Sequence, residues 1–521
     1  MKAPLLAGAA TALVVAVITV ALVMLHDDPP PPAPELPATA PKPGAPPYDA
    51  AAFQPFPYEP GAGADFLARG TRGMAHIVYA LSPGGVRASI GRTERWREAV
   101  ESAVAGSDIS PGDLEGMMLL ESAGRARVMA DGTPNSATGL MQILPSTATS
   151  LLGMRVDLAR SLEIARELPR AERAARISRR VRKRREARRL VRSLLRERPT
   201  VDERFDPRKS LAGAVRNLTT AERTFGRRDL AIVSYHMGIG NLRTVIGTYV
   251  SPRRPARSTR RTVQRYGLTW AQIYFDSSPT RNPRTWGLLT DLGDDSRHYL
   301  FKVLASREIM RLAREDPAEL GRQIDLQTTK ASAEEVLRPE SRYPPYEDHE
   351  ALRRAYRHDE LVPLPRDPER LGYSVARGMG SLARHLKQPR ILYRGLRREA
   401  LACLLYIAKE YRRITGYRPT RKRALRVTST VRDRPYQNLL VTRNAQATPE
   451  FSLHTTGFAI DIAKPREEEP LRFILERLQA LDVIAWVEEP GAFHLTVGRD
   501  ARAFMPIYEA LVVDRRPLAR R

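Results

Sequence analysis

The sequence predicts a multidomain chain: an N-terminal transmembrane helix, then a mainly α region, then a smaller α+β region. Three observations predict it. Leu5 to Leu25 is an unbroken uncharged run, close to the ~20 residues that a membrane-spanning helix needs. Helical periodicity dominates from residue 94 to residue 314. Beyond residue 392 the pattern changes to alternating stretches, "ALRVTSTV", "GFAIDIA" and "AFHLTV", which read as strands. At 521 residues the chain is too long for one core. A single cysteine, Cys403, excludes an internal disulfide and, in an apolar helical stretch, reads as a buried core thiol.

The first element, residues 1–28, sets the compartment. Lys2 precedes the apolar run and Asp27 and Asp28 follow it, so the positive-inside rule leaves the N-terminus in the cytoplasm and the rest outside. "VMLHDD" offers no small-x-small cleavage site and no lipobox cysteine, which favours an uncleaved anchor over a signal peptide. The formal net charge of +26 favours polyanionic partners. Outside a membrane those are anionic lipid headgroups or an acidic wall polymer, and nucleic acid is excluded by compartment. Residues 29–64 are a proline-rich spacer, extended and semi-rigid.

The helical region, 65–314, holds two features. Residues 155–205 are rich in arginine, with a narrow stripe of Ile177, Val181, Leu190, Val191 and Leu194. Two readings stand: a solvated helix docked by that stripe, or a contact with anionic wall polymer or lipid. The other feature is "SPGDLEGMMLLESAG". Ser110 suits an N-cap, Pro111 the first turn, Asp113 a capping box and Gly124 a stop. Leu114, Met117, Met118 and Glu121 fall on one helical face, so Glu121 shares an apolar stripe. Burial there raises a carboxyl pKa, as a general acid near neutral pH requires. The plainer reading is a glutamate tied to Arg125 or Arg127.

"ES" followed by "GLMQILPSTA", then "FDPRKSLAGAVRNL" and "DLAIVSYHMGIGNL", resembles the lytic transglycosylases of the goose-type lysozyme superfamily, with their SLT-like, lysozyme-like catalytic domain. The resemblance spans residues 65–314 and implies a mainly α lysozyme-like domain. It implies that Glu121 is the single catalytic acid and that Ser122 follows it. Gly139, Leu140, Met141 and Gln142 match the loop bordering the sugar groove. Tyr235 matches a tyrosine near the glutamate, and Gly238, Gly240 and Asn241 match the turn after it. The family usually has asparagine where this chain has His236. Such enzymes cleave the MurNAc-GlcNAc bond of peptidoglycan without water. The muramic acid's own 6-hydroxyl attacks, giving 1,6-anhydro ends, and no cofactor is needed. Asp131 is the rival that would activate a water instead. The arginine-rich segment reads as an insertion that the family pattern does not explain.

Residues 315–391 read as a connector. In the final region, 392–521, "SLHTTGFAIDI" and "GAFHLTV" place His454, Asp461 and His494 where adjacent strands can bring them together. Three N/O ligands with an open fourth place describe a catalytic zinc site. The pattern resembles the VanY-type zinc D-Ala-D-Ala carboxypeptidases and dipeptidases, with their Hedgehog-like α+β fold. The resemblance implies His454, Asp461 and His494 as zinc ligands and Ser429 and Arg432 as substrate-binding positions, with Gln437 weaker. The family's catalytic base lies three residues before the last histidine; here that residue is Gly491, leaving Glu488 and Glu489 as candidates. The whole reads as a membrane-anchored peptidoglycan-remodelling enzyme of the bacterial envelope, single-pass in the plasma membrane with its catalytic domains extracytoplasmic, acting on glycan strands and stem peptides. The rival is a wall-binding scaffold with one or both sites degenerate, which the His236 and Gly491 departures favour.

Overall fold

A computed structural model of the chain describes residues 54–59, 61–253, 259–417, 423–444 and 447–513. The expected anchor, 1–28, and nearly all of the spacer lie outside the described residues. No helix among the described residues is long and apolar enough to cross a membrane. The described residues group as one compact unit.

The helices that position the sites are α1 (Gly63–Leu81), α2 (Pro111–Ser122), α3 (Leu158–Ile177), α4 (Val181–Val201), α5 (Pro207–Phe225), α6 (Arg228–Met237), α7 (Ile239–Val250), α8 (Tyr299–Glu315) and α9 (Pro317–Thr328). Helix α2 is central: Leu114, Met117 and Met118 are fully buried. Gly116 is what lets it lie against α8, because a Cβ there would sit 2.8 Å from the Val303 carbonyl oxygen. The expected capping box does not form. Ser110 occupies the N-cap position but makes no side-chain cap bond. Asp113 is buried and pairs instead with Arg307 of α8 at 2.9 Å, a charge-assisted contact stronger than a cap. Ala123 in the left-handed region, φ 52°, and Gly124, φ 71°, end the helix.

The arginine-rich segment is a hairpin of α3 and α4. Its seam is Ile164, Leu168, Ala171 and Leu194, with Val191, Leu195 and Val201 against them. The expected stripe therefore holds in part. Val191 and Leu194 dock, but Ile177 is 64% exposed, Val181 53% and Leu190 47%. Ile177 and Val181 flank the turn between the two helices, where neither has a partner helix to cover it.

The base of the hairpin is fixed by a fully buried ion pair, Arg204 to Asp202 at 2.8 Å. The Arg204 guanidinium also donates to the carbonyls of Pro134 (2.7 Å), Ser136 (3.1 Å) and Ile143 (3.2 Å). Ser161 of α3 donates to the Asp202 carboxylate at 2.8 Å.

The remaining region is α+β. Its strands are β1 (Leu361–Pro363), β2 (Tyr373–Val375), β3 (Gly395–Arg397), β4 (Leu425–Ser429), β5 (Ala459–Ala463), β6 (Ile484–Glu488) and β7 (Ala492–Val497). Five of them form one sheet in the order β2-β4-β5-β7-β6, and β1 pairs with β3. Alternation in the sequence marks β4, β5 and β7; β6 and the short β2 lie at the two edges. The stretch expected as a connector is thus part of the fold, since it contributes α9, β1 and β2. Helices α10 (Arg398–Thr415) and α11 (Glu468–Ala480) cover the sheet; Cys403 is fully buried in α10.

The helical and α+β regions share a tight seam. A Cβ on Gly73 of α1 would sit 1.9 Å from the Gln479 carbonyl oxygen. Arg477 of α11 donates to the carbonyls of Tyr274 (3.0 Å), Phe275 (2.7 Å) and Ser277 (2.7 Å). Arg297 pairs with Glu476 at 2.8 Å.

Arg204→Met leaves Asp202 charged in the interior and the Pro134 carbonyl without its donor, while the Ser136 and Ile143 carbonyls keep Thr138. The expected loss is about 3–5 kcal/mol of unfolding free energy, read by denaturant titration. Asp202→Asn with Arg204→Met should recover part of it. A loss for the single variant below about 1 kcal/mol, the range of a surface pair, contradicts this account.

Candidate functional site

The first candidate centre forms where α2 ends. Glu121 keeps partial exposure on the last turn of that helix. The Tyr299 hydroxyl, on the first turn of α8, donates to its Oε1 at 2.5 Å. Burial drives the Glu121 carboxyl up to about 7, and the Tyr299 hydrogen bond opposes it. Among the described residues no second carboxylate bears on its proton. Neither nearby arginine neutralises it: Arg125 bonds the Ser122 carbonyl, and Arg127 lies 3.6 Å from Glu172. At neutral pH a large fraction therefore carries a proton it can give away.

The loop facing this glutamate is braced from behind. Gly139, φ 82°, packs so closely that a Cβ would come 2.0 Å from the Arg204 carbonyl oxygen. Gln142, itself at φ 46°, donates to the Gly139 carbonyl at 2.8 Å and that of Val128 at 3.3 Å. Leu140 and Met141 are fully buried, and Ser122 is buried with its hydroxyl on the Met118 carbonyl. The side chains of these three are packed inside the loop and helix end. Tyr235 on α6 donates to the Met141 carbonyl at 2.7 Å and feels the Glu121 charge, which together with burial holds its phenol well above its ordinary pKa. His236 bonds Ser296 Oγ at 2.9 Å, and its ring lies 5.0 Å from that of Tyr299. Asn241 is exposed, its amide bonded to the Met237 carbonyl across the Gly238 turn. Asp131 is exposed and accepts from Thr133 in its own turn.

The second candidate centre comes from strand register. Ser429 on β4 faces Asp461 on β5, and Asp461 faces His494 on β7. His454 arrives on a single turn, Leu453–Thr456, just before β5. His454 Nε2 lies 3.1 Å from Asp461 Oδ1, and His494 Nδ1 lies 2.8 Å from the same oxygen. One ligand atom from each of the three residues lies within 4.8 Å of the other two.

Each ring is oriented from its far side. His454 Nδ1 donates to the Thr430 carbonyl at 2.7 Å, which turns its lone pair inward. Burial drives its pKa down to about 4, so the ring is neutral. His494 Nε2 bonds Glu334 Oε2 at 3.0 Å, and Thr496 Oγ1 donates to the same oxygen at 2.9 Å. Burial would lower the His494 pKa, but Asp461 and Glu334 together push it up to about 10. That proton is what a cation between the three ligands would displace. Two nitrogens and a carboxylate, with carbonyl and carboxylate partners behind them, fit a divalent metal.

Beside the centre runs a cleft of about 320 Å³ that Ser429, Arg432 and Asp461 help to line. Arg432 donates to Ser429 Oγ at 2.7 Å and to Gln437 Oε1 at 2.8 Å, and lies 3.4 Å from Asp461. The two expected bases part company. Glu488 is exposed and clamped by Arg472 (2.5 Å) and Lys464, which hold it down to about 2. Glu489 is half-buried, and burial together with the nearby Asp461 charge raises its pKa. The difference is one residue on a strand end, where alternate side chains leave by opposite faces.

Sequence reasoning missed Tyr299 and Glu334. Tyr299 opens an ordinary amphipathic helix, and Glu334 sits in the stretch read as connector; neither carries a local signal.

Residues 183–253 match the family model described as "Transglycosylase SLT domain". The match begins inside α4, so most of the arginine-rich helix belongs to it, and it takes in Tyr235, His236, Gly238, Gly240 and Asn241. Glu121 and the loop at 139–142 fall outside the matched residues. A comparison with curated proteins finds no match.

The Glu121 carboxyl should titrate near 7, measurable by carbon NMR of glutamate-labelled protein against a Glu121→Gln control. Tyr299→Phe removes a bond that favours the ionised form, so the midpoint should rise by about one pH unit. A fall in the midpoint contradicts the assignment.

Proposed function

We propose that this protein remodels peptidoglycan, cleaving the MurNAc-GlcNAc bond without water and leaving 1,6-anhydro ends. The observation that carries the reading is Glu121: a half-buried carboxyl with a raised pKa, hydrogen-bonded by Tyr299 and, among the described residues, with no second carboxylate acting on it. The matched transglycosylase domain, whose residues supply Tyr235 opposite, supports it.

The chemistry follows from one group working twice. Glu121 gives its proton to the glycosidic oxygen as the C–O bond breaks. The muramic 6-hydroxyl attacks the anomeric carbon and returns a proton to the Glu121 carboxylate. Most glycosidases need a second carboxylate for the displacement; here the nucleophile comes with the substrate. Tyr299 stabilises the carboxylate in the interval. Asp131 is bonded within its own turn and is not a reason to prefer hydrolysis.

The second centre supports a metal-dependent action on stem peptides. His454, Asp461 and His494 would hold the ion, zinc by the family resemblance, and a bound divalent cation supplies Lewis acidity toward a peptide carbonyl. Glu334 and the Thr430 carbonyl fix the two rings, Arg432 and Ser429 line the cleft, and Glu489, its pKa raised by burial, would move the proton. The loss of Glu488 as a base and the glycine at 491 favour one specific rival, a centre that binds metal and wall peptide without cutting. The envelope location and the membrane anchor at 1–28 belong to this proposal.

Glu121→Gln should abolish release of anhydro-muropeptides, by ~10²–10⁴-fold or more, with folding intact. Mass spectrometry of wall digests reads it, and normal anhydro products from the variant refute the assignment. At the second centre, zinc affinity is measured by chelator competition. His454→Ala should lose the metal, and Glu334→Gln should weaken it by about 10–100-fold. Glu489→Gln should keep the metal and stop stem-peptide trimming. A wild type that binds zinc yet trims nothing establishes the binding-only rival.

A further inference from the structure

We propose that the tip of the α3–α4 hairpin is a docking surface for an anionic lipid bilayer. From residue 173 to 189 the chain carries ten basic residues and one acidic one, Glu186. All of these basic side chains are exposed except Arg184, which is partly so. Among the described residues in that span, the one ion pair is Arg182 to Glu186, 3.6 Å apart and open to solvent. Ordinary surface helices alternate sign at i,i+4. Here Arg180 and Arg184, Arg184 and Arg188, and Arg185 and Arg189 set like charges one turn apart. Such pairs cost stability in isolation. An anionic surface would turn that cost into attraction.

Two observations favour lipid over a soluble polyanion. Ile177 and Val181 stand 64% and 53% exposed on either side of the turn, inside the basic field. A polyanion gains nothing from bare aliphatic side chains, whereas a bilayer takes them up at the headgroup boundary while arginines remain at the phosphates. The second is reach. A 20-residue helix spans ~30 Å, and this hairpin is pinned at its base by Arg204 and Asp202, so the tip is presented away from the catalytic loop. Among the described residues no hydrogen bond or ion pair joins the tip to either candidate centre, and the proposal does not depend on their chemistry.

The test uses the full chain labelled with an environment-sensitive fluorophore at a Ser178→Cys substitution; Cys403 is buried and stays unlabelled. A probe at the tip reports that segment alone, whatever the rest of the chain does with a membrane. The expected result is a blue shift with phosphatidylglycerol vesicles, reversed by high salt, and none with phosphatidylcholine vesicles. Replacing Arg179, Arg180, Arg182 and Lys183 by glutamine in the labelled chain should raise the lipid concentration for half-maximal shift by at least about tenfold. An unchanged circular dichroism spectrum and thermal midpoint show that this variant is folded. The proposal is overturned by equal shifts on both vesicle types, by an unaffected glutamine variant, or by an equal shift with soluble polyglutamate, which would mean charge alone.

Discussion

Arg204 is the residue on which most of the helical region depends. Its guanidinium lies where no water reaches, satisfied by Asp202 and by three backbone carbonyls of the loop at 134–143. A buried pair of this kind is costly to assemble and far costlier to break. It therefore acts less as a source of stability than as a condition on geometry. The loop at 134–143 is held where three of its carbonyls meet the Arg204 guanidinium, and a side chain on Gly139 would strike the Arg204 backbone. The same pair closes the base of the hairpin through Ser161, so one charge sets the position of both a catalytic loop and a projecting arm.

A second level of organisation is the use of missing side chains to bring elements together. Gly116 lets α2 approach α8, and the approach places Tyr299 on Glu121. Gly73 does the same between α1 and the end of α11. In both places the consequence is electrostatic. Close packing removes solvent, which raises the acid at one crossing and lets Arg477 spend its donors on protein carbonyls at the other.

The sequence made part of this legible. Glu121 was readable because helical spacing put it on a stripe with Leu114, Met117 and Met118, and a stripe implies burial. The row of Ser429, Asp461 and His494 was readable because strands alternate strictly, so one histidine and one aspartate at matched parity can meet. What was not legible came from long-range packing. Tyr299 reaches Glu121 across 178 residues, and Glu334 reaches His494 across 160. No local pattern encodes either. The choice between Glu488 and Glu489 turned on Arg472 and Lys464, which take one carboxylate out of play. The stripe on the arginine-rich helix was half right, since periodicity finds the packing face but not where the partner helix stops. The capping box at Ser110 failed because α8 offered Asp113 a guanidinium.

The seam between the helical and α+β regions has a consequence for how such a chain can change over generations. Arg477 reads the carbonyls of three particular residues, Glu334 serves the sheet from a segment that precedes it, and β2 joins the sheet from the same segment. The C-terminal region is therefore not a cassette. Cutting the gene at residue 392 and splicing the remainder elsewhere would deliver a sheet without its edge strand and a histidine without its carboxylate. Recombination that shuffles free-standing modules is closed to this architecture. At the seam itself the two regions are coupled, so a change on one side constrains what the other can carry.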